Sequence, residues 1–221
     1  MPIEKPKKWK KQSEKSSSAT DFCKLCFKRI PEPSLSVTFR KLQLLCPTCY
    51  KKFSPRFDEW REKGVSFLSI YPYSAVKEAL YQFKGCGDYE LKDVFFFYPL
   101  DYLRIRYRGY VVVPVPSSKS HNEERGFNQV VEMARPLGFP ILDVLEKTAE
   151  VKQSDLNAAE RKEVWRVLAI KKQGLLKGKK VLLVDDVFTT GSTVRACLNL
   201  LKKEKPRKLA VLTMAKTESS A

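Results

Sequence analysis

No window of this 221-residue chain approaches 18 uninterrupted apolar residues, which excludes a helix of membrane-crossing length on that signal. The lysine-rich start, Met1 to Lys15, lacks the apolar stretch and small-residue cleavage site of a secretory signal, so a cytoplasmic location is expected. No internal repeat at solenoid periods is visible. Histidine occurs once, at His121, and an acid–base role for it has no partner that sequence can name. Acidic residues are also scarce. Against 42 Lys and Arg stand 25 Asp and Glu, a net charge of +17. That excess suits a polyanionic partner or phosphorylated ligand, with a merely solvated basic surface as the alternative. Six lysines face two glutamates in the first twenty residues, and with Ser16-Ser17-Ser18-Ala19 the segment 1–20 reads as a disordered basic arm. A chain of this length, 43% hydrophobic, has room for one full α/β core and a small appended module.

The cysteines divide four and two. Cys23-Lys24-Leu25-Cys26 and Cys46-Pro47-Thr48-Cys49 are two Cys-x-x-Cys pairs with nineteen residues between Cys26 and Cys46. Two such knuckles suit a tetrahedral Zn²⁺ site, and four thiolates leave no open position for water, so the site reads as structural. Disulfides are disfavoured in a reduced compartment, and a redox role would explain one pair rather than two. Cys197 falls on an apolar helix face and reads as core; Cys86 lies in a turn with no assigned role.

The order of elements follows from periodicity. The expected units are the arm (1–20), a four-cysteine zinc module (21–60), a main domain (61–216) and a tail (217–221). A short strand is possible at Ser36-Val37-Thr38-Phe39. Within the main domain, Phe67 to Tyr73 is strand-like, and Val76, Ala79, Leu80 and Phe83 mark a helix over 73–84. Val111 to Pro116 is a buried strand closed by proline, and Phe127 to Arg135 a helix ended by Pro136 and Gly138. Residues 143–166 are charged and aperiodic, a candidate mobile loop. Strand Val181 to Val184, helix Ser192 to Lys203 and strand Leu209 to Met214 complete the pattern. Strands alternating with helices imply an α/β fold: a mostly parallel sheet with helices on both faces and ligands at the strands' carboxyl ends.

The most informative segment is Val181 to Thr193. A buried strand delivers Asp185 and Asp186, and Thr189, Thr190, Gly191, Ser192 and Thr193 form a turn into a helix. The carboxylates can accept hydrogen bonds from vicinal sugar hydroxyls. Amides at the helix start and the hydroxyls beside them can hold a phosphate. A simple helix cap is the alternative. A second loop, Ser117 to Asn128, also leads from strand to helix, with Lys119, His121 and Arg125 as donors and Gly126 allowing close backbone approach. Arg125 is the strongest anion ligand there, its planar fork gripping phosphate in two places. Arg161 can close over a ligand as a lid or be a surface arginine.

The four-cysteine module, Val113-Pro114-Val115-Pro116, Glu124 to Gln129 (Glu-Arg-Gly-Phe-Asn-Gln), Gln153-x-x-Leu156, Glu160-Arg161 and Val184 to Thr193 together resemble the ComF family, over about residues 21–216. The resemblance implies a type I phosphoribosyltransferase-like fold that binds phosphoribosyl diphosphate (PRPP) with Mg²⁺. It also implies a role in natural transformation, with single-stranded DNA and DNA-uptake proteins as partners. Asp185 and Asp186 then match the ribose pair, Thr189 to Thr193 the 5′-phosphate loop and Ser117 to Arg125 the diphosphate loop. Asp185, Asp186, Arg125 and Arg161 become the catalytic set, and Lys119 joins the ligand-binding residues. Two positions depart. Thr189 stands where purine-salvage members carry a carboxylate, and Val164 where ComF-like chains carry Asn. The readings are a PRPP-binding competence protein and an active transferase of nucleotide metabolism with no DNA role. For DNA, Tyr50, Phe53, Phe57 and Trp60 near Lys51, Lys52 and Arg56 are candidate stacking residues, with packing between module and main domain the favoured alternative.

Overall fold

A computed structural model describes residues 22–30, 44–118, 123, 126–148 and 168–218. The expected arm and the strand at Ser36 to Phe39 lie outside these residues. After a short helix α1 (Pro47–Lys52), β1 (Asp58–Glu62) turns back into β2 (Val65–Pro72). Lys63 and Gly64 make that two-residue turn with φ of 47° and 79°, the left-handed geometry that matches strand twist. There follow α2 (Tyr73–Gly85), α3 (Lys92–Phe97), α4 (Leu100–Arg106) and β3 (Tyr110–Pro114). Then come α5 (Gln129–Ala134), the small pair β4 (Leu145–Lys147) and β5 (Leu168–Ile170), β6 (Lys180–Phe188), α6 (Ser192–Lys203) and β7 (Lys208–Lys216).

Five strands form one sheet in the order β1-β2-β7-β6-β3, parallel except for the β1–β2 hairpin. The pleat sorts its apolar residues onto two cores. Leu182 and Val184 join Leu68, Ile70, Leu212 and Met214 beneath Val76, Ala79, Leu80 and Phe83 of α2, Phe95 of α3 and Val130 of α5. Val181 and Leu183 join Phe67, Val113 and Val211 beneath Val194, Cys197, Leu198 and Leu201 of α6, with Leu145 and Leu168 of the β4–β5 pair. Helices on both faces of a mostly parallel sheet are as the sequence implied.

The cysteine knuckles share the first of these cores. Cys23, Leu44, Leu45 and Phe53 are buried in the same cluster as Leu68 and Phe95. Phe53 meets Tyr71 edge-on with centroids 5.5 Å apart. β1 crosses residue 60, the expected division between module and main domain.

Details depart from expectation for local reasons. The helix expected at Phe127 starts at Gln129, because the Asn128 side chain accepts hydrogen bonds from the Val130 and Val131 amides and so caps it. Within 143–166, Leu145–Lys147 is a strand paired with β5, and residues 149–166 lie outside the described set. The strand expected to stop at Val184 runs on to Phe188, paired with β7 through Phe188↔Lys216.

Candidate functional site

The extension of β6 decides how the two carboxylates are presented. Asp185 pairs with Thr213 inside the ladder, so the pleat turns Asp185 and Asp186 to opposite faces of the sheet. Asp186 is buried and fully engaged. Its Oδ1 accepts the Val187 amide at 2.5 Å, and its Oδ2 accepts Gln129 Nε2 at 2.6 Å. The same Oδ2 forms an ion pair with Lys84 Nζ at the end of α2. Asp185 faces the α6 side. Its Oδ1 accepts the Asp186 amide at 2.9 Å. Burial, and then the neighbouring Asp186 charge, pushes its carboxyl well above the usual range, against weaker pulls from the Asp186 amide, Lys84 and Lys147. In the adjoining strands, the hydroxyls of Thr213 and Ser69 are buried without a hydrogen-bond partner among the described residues.

Beyond β6 the chain makes the turn that the sequence marked. Gly191 sits at the helix N-cap with φ 72°, and α6 starts without a side-chain cap. The Ser192 amide donates to the Thr190 hydroxyl at 3.4 Å, and the Thr193 and Val194 amides stand next at the positive end of the helix dipole. Thr189, Thr190 and Ser192 are exposed, and the Thr190 and Ser192 hydroxyls lie 3.1 Å apart. Arg195 braces the turn, donating to the Thr190 carbonyl at 2.6 Å and to both oxygens of Glu62 on β1. The Val115 amide bonds the Val184 carbonyl at 2.8 Å, so the second loop also leaves the sheet beside the carboxylates. Lys119, His121, Arg125 and Arg161 lie outside the described residues.

Sequence reasoning missed Lys84 and Gln129. Gln129 stood in the Glu124 to Gln129 segment without a role, and Lys84 read as an ordinary basic residue in the last turn of a helix. Of the aromatic set proposed for stacking, only Phe53 is buried in the core; Phe57 and Trp60 are half-buried and Tyr50 is exposed. Phe53 is 2% exposed, Tyr50 lies against Tyr98 at 4.6 Å and Phe57 against Tyr102 at 4.9 Å. Trp60 stacks on Phe67 at 5.0 Å, with Lys216 Nζ 4.3 Å from its ring.

The four cysteines converge. The sulfurs of Cys23, Cys26, Cys46 and Cys49 all lie within 4.8 Å of one another, and Cys26 and Cys46 are 3.6 Å apart. Ligands at about 2.3 Å around a tetrahedral ion stand roughly 3.8 Å from each other, so the set fits Zn²⁺. For the Cys23 thiol, burial raises the pKa, but backbone hydrogen bonds from Cys46, Cys26 and Leu25 outweigh it and hold it at about 7. Burial and the neighbouring sulfurs push Cys49 up. Four thiols this close cannot all ionise without a cation.

A parallel sheet with paired carboxylates and an uncapped, hydroxyl-lined helix entrance at its carboxyl edge defines a phosphoribosyltransferase-type domain, and residues 123–221 match the family model described as phosphoribosyl transferase domain. The chain is 35% identical over 165 residues to competence protein ComFC of Streptococcus pneumoniae, covering 72% of this chain and 74% of that one. It is 32% identical over 191 residues to ComFC of Bacillus subtilis, covering 78% of each. It belongs to the ComFC family of competence proteins. Among solved structures it is similar to a purine phosphoribosyltransferase from Pyrococcus horikoshii, at 21% identity and a TM-score of 0.37 over 57% of this chain and 73% of that one.

Proposed function

We propose that this ComFC homologue binds PRPP with Mg²⁺ at the carboxyl edge of its sheet and acts in natural transformation, in the handling of incoming single-stranded DNA. The observation that carries the PRPP reading is the uncapped start of α6, set directly after Asp185 and Asp186. Asp185 keeps an oxygen for ribose hydroxyls, and the amides and hydroxyls of Thr190 to Thr193 supply donors for a 5′-phosphate. The Asp185 carboxylate is a hard oxygen donor of the kind that would hold Mg²⁺ through water, and the ion would offset diphosphate charge. Arg125 and Lys119 are assigned to the diphosphate and Arg161 to a closing lid. Zn²⁺ is assigned to the four cysteines as a structural ion. The competence role rests on the two ComFC relatives.

The test is thermal unfolding with and without Mg²⁺-PRPP. Ligand at a hundred times its Kd stabilises by about 2.7 kcal/mol, a rise of several degrees. Asp185→Asn should remove the rise, whereas wild type unmoved by millimolar PRPP would refute the reading. Pyrophosphate release on adding nucleobases or amines would make the protein an active transferase. Binding of single-stranded DNA should weaken steeply with salt, and salt-independent affinity would count against that part.

A further inference from the structure

We infer that single-stranded DNA lies along the edge where β2, β3, β6 and β7 begin, opposite the phosphoribosyl site, with its phosphates on a row of cations that ends in a cleft beside α4. The inference rests on the DNA part of the reading above and names the surface for it.

The strands start with cations. Tyr110, Lys180 and Lys208 are register partners across β3, β6 and β7. Register partners share a face of the sheet, so the two lysines stand side by side, and Lys180 Nζ lies 5.8 Å from the Tyr110 ring centre. The Arg207 amide donates to the Lys179 carbonyl at 2.8 Å, which brings a second, exposed pair of cations to the same edge. Like charges facing each other across a ladder repel, and nothing nearby offsets them. Among the described residues, no carboxylate stands within ion-pair distance of Lys179, Lys180, Arg207 or Lys208.

The row runs into a cleft of about 390 Å³, lined in part by Arg61, Ser66, Arg106, Tyr107, Tyr110 and Lys208. Glu59 is the one carboxylate lining it among the described residues, and Arg106 takes both its oxygens, at 2.8 and 2.7 Å. Glu62, next to Arg61 in the chain, is held by Arg195. Arg61 and Lys208 therefore face the cleft with no counter-ion among the described residues. The cations are spread over strands about 4.8 Å apart and do not converge on one point, which suits a chain of phosphates better than a single phosphate group. Lysine meets phosphate as a point charge and reads no base, so the surface takes a strand of any sequence. Asp185 lies about 16 Å further along β6, at about 3.3 Å per residue, so DNA and PRPP occupy opposite edges and bind together.

The test is the binding of a labelled oligothymidylate of about 15 nucleotides to the full chain, followed by fluorescence anisotropy over a range of salt. Replacing both lysines, Lys180→Gln with Lys208→Gln, should weaken binding about fivefold per lysine at roughly 0.1 M salt and flatten the log–log salt slope by about 0.7 for each. The pair repels in the folded chain, so this variant should melt no lower than wild type, and weaker binding then reports lost contacts and not lost folding. Lys51→Gln with Lys52→Gln removes the same charge from exposed positions on α1 and should change affinity less than about twofold. Saturating Mg²⁺-PRPP should leave the DNA affinity of wild type unchanged. An edge variant that binds like wild type, an α1 variant as damaging as the edge variant, or displacement of DNA by PRPP would overturn the inference. Wild type that binds no DNA at any salt would instead refute the DNA part of the reading on which the inference stands.

Discussion

Asp185 and Asp186 are neighbours in sequence with opposite electrostatic circumstances. Asp186 is compensated by Lys84, Gln129 and the Val187 amide. Asp186→Ala should lower stability by about 2–3 kcal/mol in urea unfolding, near the low end for a broken buried pair because Lys84 is partly solvated. Asp185 carries a raised pKa from burial and from Asp186. Below about pH 4 it is protonated in both folded and unfolded chains, and it contributes full stability there. As pH climbs toward the raised folded value, the unfolded chain ionises more readily and that contribution is lost. Glu59 and Glu62, held below their usual range by Arg106 and Arg195, work in the other direction. Comparison with a variant therefore isolates the Asp185 effect. Between pH 4 and pH 8, Asp185→Asn should lose less Tm than wild type while failing to respond to PRPP.

At the scale of elements, the turn into α6 is tightly constrained. A Cβ at Gly191 would stand 2.4 Å from Phe188 Cζ, at a backbone φ of 72°. Gly191→Ala should cost about 2 kcal/mol or more from strain and overpacking together, measured by the shift in urea midpoint. This turn was legible in sequence because strand, carboxylates, small residues and helix come in one continuous run. Its contacts were not. Arg195 reaches Glu62 across 133 positions, and Lys84 reaches Asp186 from a helix whose periodicity reports only its buried face. α3 was missed because Val94 to Tyr98 is an apolar block without a period, and β1 because Asp58–Glu62 is mostly charged. In β6, sequence marked the buried run through Val184, but pairing with β7 carries the strand on through both carboxylates to Phe188.

At the scale of the whole molecule, the cysteine knuckles and the sheet are one packed body. Cys23 is 0% exposed and lies in the core that also holds Leu68, Phe83 and Phe95. Loss of a zinc ion from the four sulfurs should therefore propagate into the main domain. The expected protein contains one Zn²⁺ per chain, measurable by metal analysis. Chelation should lower the Tm of a single cooperative transition rather than melt a separate small one. A main-domain transition that stays unchanged after zinc release would show that the shared core contributes little.

The strand order carries a consequence for biogenesis. β7 follows both β2 and β6 in sequence yet lies between them at the middle of the sheet. While the chain is being synthesised, the hairpin with α2 and the β3–β6 pair can each form, but no strand yet joins them. Lys84 and Asp186, one on each side of that gap, are brought into a fixed relation only when residues 208–216 have left the ribosome and paired on both edges. Until then two apolar strand edges stand open, so the nascent chain is exposed to mispairing and to chaperone binding.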